Sequence, residues 1–266
     1  MLFRSQNAPE HIKKKLPSMY HQFKQLANLD ITTTPMEVGP TTHYIMVGVR
    51  VDADTQASTV PGLFAAGECA AGINGANRLG GNSLSDLVVF GKRAGEYAAV
   101  FAQKNAHGTI DNAEIERLAK ATLEPFEREG GENPYTIQHD LQEMMQELVG
   151  IVRTEEEMVQ ALEGIEQLKK RAANTFVPGN IDFNPGWHTA LDLHNLLVVS
   201  EAIARAAIER KESRGGQYRE DFPAKDAELG KLNFVLRKQS DTSMNIDRVP
   251  IPEMPADLKE IIEEMG

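Results

Sequence analysis

Ile137, Leu141, Met144, Leu148 and Ile151 step by four and three, and Met158, Leu162, Ile165 and Leu168 repeat the rhythm. That spacing lays one apolar stripe along each of two helices. Residues 189–212 are alanine-rich and apolar on one face, so the three segments together predict an antiparallel helical bundle. Breakers fall where its loops are needed, at Gly130, Gly131 and Pro134 and from Val177 through Gly186. The first half follows another pattern. Residues 10–26 predict a helix broken near Pro17, while 43–51 (HYIMVGVRV) and 63–66 read as short strands. Residues 83–104 predict a helix in which Leu84, Leu87, Val88, Gly91, Gly95 and Ala98 recur at helical spacing, the small residues implying close packing on a sheet. After SRGGQYREDFP, residues 232–237 and 246–251 are strand-like, and a short acidic helix follows. The change of pattern separates a mixed α/β region, 1–107, from a helical region, 108–266, with its core helices from about 137 and a tail over 214–266.

Composition is that of a soluble globular protein: 266 residues, 41% apolar and 25% charged. No stretch approaches the roughly 18 uninterrupted apolar residues of a membrane span, and the first residues lack a signal-peptide core. The single cysteine, Cys69, makes neither an internal disulfide nor a thiolate metal site, which fits a reducing compartment. The net charge of −11 is unevenly placed: residues 1–110 carry 10 Lys and Arg against 8 Asp and Glu, and the remainder carries 18 against 31. The basic run Lys13 to Lys15 reads as a solvated helix face, and a nucleic-acid partner is disfavoured.

Candidate chemistry concentrates in the first half. Residues 75–83 read GANRLGGNS and run directly into the apolar LSDLVVFG. Gly75, Gly80 and Gly81 let backbone approach a ligand, and Asn82 or Ser83 suits the N-cap of the next helix. A helix N-terminus favours an anionic or electron-rich group, and Arg78 adds a planar fork matched to a carboxylate. The bland reading is a tight turn plus a cap. Two further residues converge on the turn: His43, at the end of PTTHY, and Glu68, where the run TVPGLFAAGE is expected to bring a carboxylate to the carboxyl edge of a sheet. Taken singly, His43 also reads as a hydrogen-bonded core histidine and Glu68 as a cap or surface charge.

The series PTTHY, TVPGLFAAGE, GANRLGGNSLSDLVVFG and ESRGGQYREDFP, in this order and spacing, resembles the C-terminal part of the flavoprotein subunit of succinate dehydrogenase and fumarate reductase. The resemblance covers nearly the whole chain. It implies the C-terminal portion of a Rossmann-like FAD-binding domain with a capping-domain remnant over about 1–40, followed by the antiparallel helical domain. It assigns Glu68 to the FAD ribitol, Ser83 and the backbone of Leu84 to the flavin ring, and His43 and Arg78 to the carboxylates of succinate or fumarate. Also implied are hydride transfer at flavin N5, electron transfer to an iron-sulfur subunit, and a cytoplasmic, peripheral position on the inner face of the plasma membrane through partners. No metal ligand is assigned.

Two departures from the family pattern stand out. Val47 replaces a glycine of the usual HYxMGG, and its branched side chain is expected to crowd the backbone or to cost about 1–3 kcal/mol if its φ is positive. No GxGxxG pyrophosphate loop occurs. That loop, the flavin-linking histidine, most of the capping domain and the proton-donating arginine are expected upstream, Arg4 being no substitute, and the isolated chain is expected to be inactive. Two alternatives accompany this reading: an L-aspartate oxidase, whose corresponding turn reads closer to ANRMASNSLLE, and a non-catalytic module that binds the iron-sulfur partner without FAD.

Overall fold

The four-and-three periodicity of the second half closes into a three-helix bundle in the computed structural model, which describes residues 2–3, 8–37, 39, 43–240 and 243–265. Arg4 and the Pro40 to Thr42 part of PTTHY lie outside the described residues. Cα packing divides the chain into two units, Met1–His43 and Tyr44–Gly266.

In the first unit, Pro9 opens α1 (Pro9–Lys15) and Pro17 opens α2 (Pro17–Leu26), so the expected break falls at Leu16. A proline suits the first helical position, where no amide partner is lost, and stops the helix before it. β1 (Leu2–Phe3) pairs antiparallel with β2 (Met36–Glu37), and Ile12 and Ile31 are buried.

In the second unit, α3 (Asn82–Lys104) and α4 (Asn112–Glu127) precede the bundle of α5 (Pro134–Leu148), α6 (Glu155–Ala172) and α7 (Pro185–Glu209). Asn133 and Asn184 cap α5 and α7, and Thr154 with Glu157 forms a capping box on α6. Ile137 and Leu141 of α5 meet Ile165 and Leu168 of α6 and Leu193 and Leu197 of α7. At the other end Met158 and Ala161 meet Ala204, Ala207 and Val149. The C-terminal end of α6 therefore faces the N-terminal halves of both neighbours: α6 runs antiparallel to α5 and to α7, as the sequence implies. Buried Glu201 joins α6 to α7 by accepting from Lys169 and from Arg205, the latter at 2.6 Å. Trp187 packs on Phe126 and donates to the carbonyl of Thr122 at 2.8 Å, which seats α4 against α7.

Beyond α7 two fully buried charges organise the chain. Glu212 accepts from Arg210 (2.6 Å), from Arg214 (3.0 Å) and from the amide of Asp226 (2.9 Å). Arg219 forks onto both oxygens of Asp221 at 2.7 Å and donates to the carbonyl of Ala207 at 2.9 Å, satisfying the C-terminal turn of α7. β4 (Tyr218–Arg219) pairs parallel with β3 (Val152–Arg153). The strand-like segments form an antiparallel hairpin of β5 (Leu232–Lys238) and β6 (Met244–Pro250), and α8 (Ala256–Met265) is the acidic helix.

The first-half expectations need correction. The strand expected over 43–51 reduces to single bridges, Val49 with Ala70 and Val51 with Ser58, and 63–66 contributes only Phe64 with Ala57. A left-handed backbone at Tyr44 (φ +80°) and at Gly67 (φ +74°) turns the chain before a ladder can extend. The described strands pair only as three two-stranded sheets. Among the described residues α3 accordingly has no sheet to pack on. It rests on the short 3-10 turn Gly67–Cys69 and on Phe64, whose ring meets Phe101 edge to face, while Cβ atoms at Gly91 and Gly95 would face open space.

Two measurements check this fold. Ile165→Ala is expected to cost about 2–5 kcal/mol of bundle stability, read by urea unfolding with the fluorescence of Trp187; an unchanged midpoint would contradict the packing. Asp221 is held at a pKa of about 2, below the ordinary 3.8, chiefly by its hydrogen bonds from Arg219. A carboxylate depressed in the folded state contributes stability above its unfolded pKa and loses it as pH falls toward its folded one. Asp221→Asn is therefore expected to lower stability at neutral pH and to flatten the acid limb between about pH 4 and 2, as followed by far-UV circular dichroism.

Candidate functional site

The glycine turn takes its shape from backbone conformations that other residues adopt poorly. Gly75 (φ +54°) and Gly81 (φ +86°) are left-handed, and Gly81, not Asn82 or Ser83, is the N-cap of α3. No side chain caps this helix; its own backbone does so in part, the Leu84 amide donating to the carbonyl of Gly81 at 3.3 Å. Ser83 is half-buried and Leu84 is exposed.

The guanidinium of Arg78 stands over the ring of Tyr44, its carbon 4.3 Å from the centroid. The Tyr44 hydroxyl donates to Asp86 Oδ2 at 3.3 Å, and Asn74 donates to both groups at 3.3 and 3.5 Å. Burial, and then the charge of Asp86, push the Tyr44 phenol above its ordinary pKa, which keeps it a donor. Asp86 is the one buried side chain of α3 among the described residues, and its Oδ1 takes no hydrogen bond there. Glu68 sits in the Gly67–Cys69 turn rather than at a strand end, and its Oε1 accepts from the amide of Ile45 at 2.9 Å. The second unit thus gathers Glu68, Arg78 and the start of α3 around Tyr44 and Ile45. His43 ends the first unit, where its side chain is exposed.

Val47 does not carry the strain foreseen for it. The described non-glycine residues with positive φ are Asn28, Tyr44, Gln56 and Phe183. The glycine the segment requires is Gly48, where a Cβ would overlap the carbonyl of Cys69 beside the Val49–Ala70 bridge.

The second half reaches the turn through one loop. The amide of Gly216 donates to the carbonyl of Ala76 at 3.0 Å, and a Cβ on Gly215, itself left-handed at φ +60°, would overlap that same carbonyl. Glu212, Arg214 and Arg219 anchor the loop from behind, so SRGGQYREDFP presses the Arg78 turn into place. Sequence reasoning does not single out Tyr44, Asp86, Asn74 or Gly215. An acid inside the apolar run LSDLVVFG is the one signal that marks Asp86.

Comparison with known proteins supplies the family. Residues 1–84 match "FAD binding domain" and residues 138–261 match "Fumarate reductase flavoprotein C-term". The chain belongs to the succinate dehydrogenase and fumarate reductase flavoprotein family. FAD is the cofactor of this family, and the FAD-binding match takes in His43, Glu68, Arg78, Ser83 and Leu84. The fumarate reductase flavoprotein subunit of Mycobacterium tuberculosis is 35% identical over 251 residues, 90% of this chain and 42% of the relative. The succinate dehydrogenase flavoprotein subunit of Coxiella burnetii is 36% identical over 227 residues, 81% of this chain and 39% of the relative. Sdh1 of Mycobacterium smegmatis, solved in complex with UQ1, superposes with a TM-score of 0.87 at 47% identity, covering 97% of this chain and 44% of that one. The chain spans about two fifths of the length of the curated relatives it matches. Among the described residues no helix is long and apolar enough to cross a membrane.

The loop contact yields a prediction for this flavoprotein chain. Gly215→Ala puts a methyl group against the Ala76 carbonyl and strains a left-handed residue. The substitution is expected to cost about 1–3 kcal/mol, measured by urea unfolding. A parent-like midpoint would show that the loop yields freely.

Proposed function

We propose that this chain carries the substrate-facing turn and the helical domain of an FAD-dependent oxidoreductase that interconverts succinate and fumarate. One observation carries the reading: a half-buried arginine, set over an aromatic ring, stands four residues before the start of a 23-residue helix that no side chain caps. The chain's residues fit the cofactor. Glu68 commits one oxygen to Ile45, and a carboxylate has further acceptor positions for ribitol hydroxyls. The positive N-terminal end of α3, at Ser83 and at Leu84, whose amide makes only a long 3.3 Å bond to Gly81, suits the electron-rich pyrimidine edge of a flavin. Bound FAD supplies the hydride acceptor, N5.

The chain's own side chains bind and orient. Arg78 forks onto one carboxylate of the dicarboxylate, and the family resemblance gives His43 a role toward the substrate carboxylates. A substrate fixed at both ends has its central C–C bond placed for reaction, which removes much of the orientational cost. The arginine fork also polarises the carboxylate conjugated with the alkene of fumarate. No acid-base residue is assigned within these residues. The division at about 107 would then separate the FAD-binding portion from a helical domain that meets an iron-sulfur subunit, with membrane attachment through partners. Fumarate reductase and succinate dehydrogenase names among the relatives favour this reading over an L-aspartate oxidase or a module without FAD.

Substitution at the arginine tests the proposal. In the FAD-loaded protein Arg78→Lys is expected to keep its flavin and to lose roughly 10- to 100-fold in kcat/KM for succinate, because an ammonium cannot reproduce a bidentate, charge-assisted contact. Turnover like the parent's, in a dye-reduction assay, would remove Arg78 from the site.

A further inference from the structure

We propose that Tyr44, tethered by Asp86, is a positioning residue that holds Arg78 in the place required for dicarboxylate binding. The proposal rests on Arg78 being the carboxylate-binding group. Its starting point is what Arg78 lacks: among the described residues it makes no hydrogen bond and no ion pair, although it is half-buried. Other half-buried arginines of the chain are committed, Arg210 and Arg214 to Glu212 and Arg171 to Glu132 and Asp140. Arg78 instead stands over the Tyr44 ring, and among the described residues its five N–H donors are uncommitted. A cation–π contact localises the guanidinium over the ring without using its N–H donors, which stay available to an anion.

The ring is itself held in place. Tyr44 adopts φ +80°, a region costly for a bulky side chain and maintained only where the surroundings over-determine it. Two constraints flank it: the Ile45 amide donates to Glu68 at 2.9 Å, and the phenol donates to Asp86 Oδ2 at 3.3 Å with Asn74 alongside. Asp86 projects from the second turn of α3, the helix whose first turn carries Ser83 and Leu84. The tether therefore ties the direction of Arg78 to the helix start that would face bound FAD. A free arginine side chain would surrender several rotamers on binding; on the platform that loss is met before the ligand arrives.

Malonate, a dicarboxylate with no central C–C bond to oxidise, probes binding without turnover. Its dissociation constant is read from perturbation of the flavin absorbance in the FAD-containing flavoprotein. Tyr44→Leu is expected to weaken malonate about tenfold at unchanged FAD content, since cation–π stacking of a desolvated arginine is of that order. Tyr44→Phe keeps the ring and loses the tether, and about a threefold loss is expected, matched by Asp86→Asn. Combining Tyr44→Leu with Arg78→Lys is expected to cost clearly less than the two losses multiplied, because both act through one group. Independent, multiplying effects would overturn the proposal, as would parent-like malonate binding by Tyr44→Leu while Arg78→Lys is impaired. If Tyr44→Leu loses its flavin, parent affinity in both Tyr44→Phe and Asp86→Asn overturns it instead. Parent-like binding by Arg78→Lys would remove the reading of the site on which the proposal stands.

Discussion

One hydrogen bond, from the amide of Gly216 to the carbonyl of Ala76, joins the glycine turn of the first half to the framework of the second. Everything behind it makes that bond rigid. Glu212 and Arg219 are removed from water entirely, which is costly unless each charge is paired and its remaining positions are satisfied. Both conditions are met: Glu212 by two arginines and an amide, Arg219 by Asp221 and the last carbonyls of α7. Removing one member leaves the other as an unpaired buried charge, so the network tolerates few geometries. The bundle beneath is ordinary apolar packing. What it exports to the site is the fixed position of a single backbone loop.

The site side of that contact is built from strain as much as from attraction. Gly75, Gly81 and Tyr44 all hold positive φ, and the two glycines adopt it freely while the tyrosine does not. The chain places an aromatic residue where a glycine would be easy, and the ring under Arg78 is what that arrangement gains. Polar groups with spare capacity among the described residues lie alongside: an arginine with no anion, a carboxylate holding one amide, and a helix start without a side-chain cap. Such groups are costly in a self-sufficient fold and useful where charge must be received.

Much of this organisation is legible in the amino-acid sequence. The bundle helices announce themselves through spacing because their stripe is wide and their caps, Asn133, Thr154 and Asn184, stand at the boundaries. Glu68, Arg78 and Ser83 stand out because glycine-rich backbone next to a helix start has few other uses. The strands of the first half are less than their composition suggests: β-branched residues over 43–51 fit a strand only if a neighbouring ladder exists, and here the partners are single residues. The small residues of α3 mislead in the same way, since spacing says which face is apolar and not what lies against it. Tyr44 escapes notice because its importance lies in a dihedral angle and a ring face, neither of which a sequence pattern records. Gly215 escapes because its neighbour in space, Ala76, is far away along the chain.

α3 buries a single side chain, Asp86, while Leu84 and Val88 are 70% and 73% exposed. A helix with so little of its own packing has a low free energy of local opening, so its amides are expected to exchange with solvent sooner than those of the bundle. The start of α3 also belongs to the proposed site. Whatever seats on the apolar face of α3 therefore does two things with one contact, raising the cost of opening the helix and fixing the turn at its head. Order at the site and burial of that face are thermodynamically linked, so each strengthens the other by the same coupling free energy.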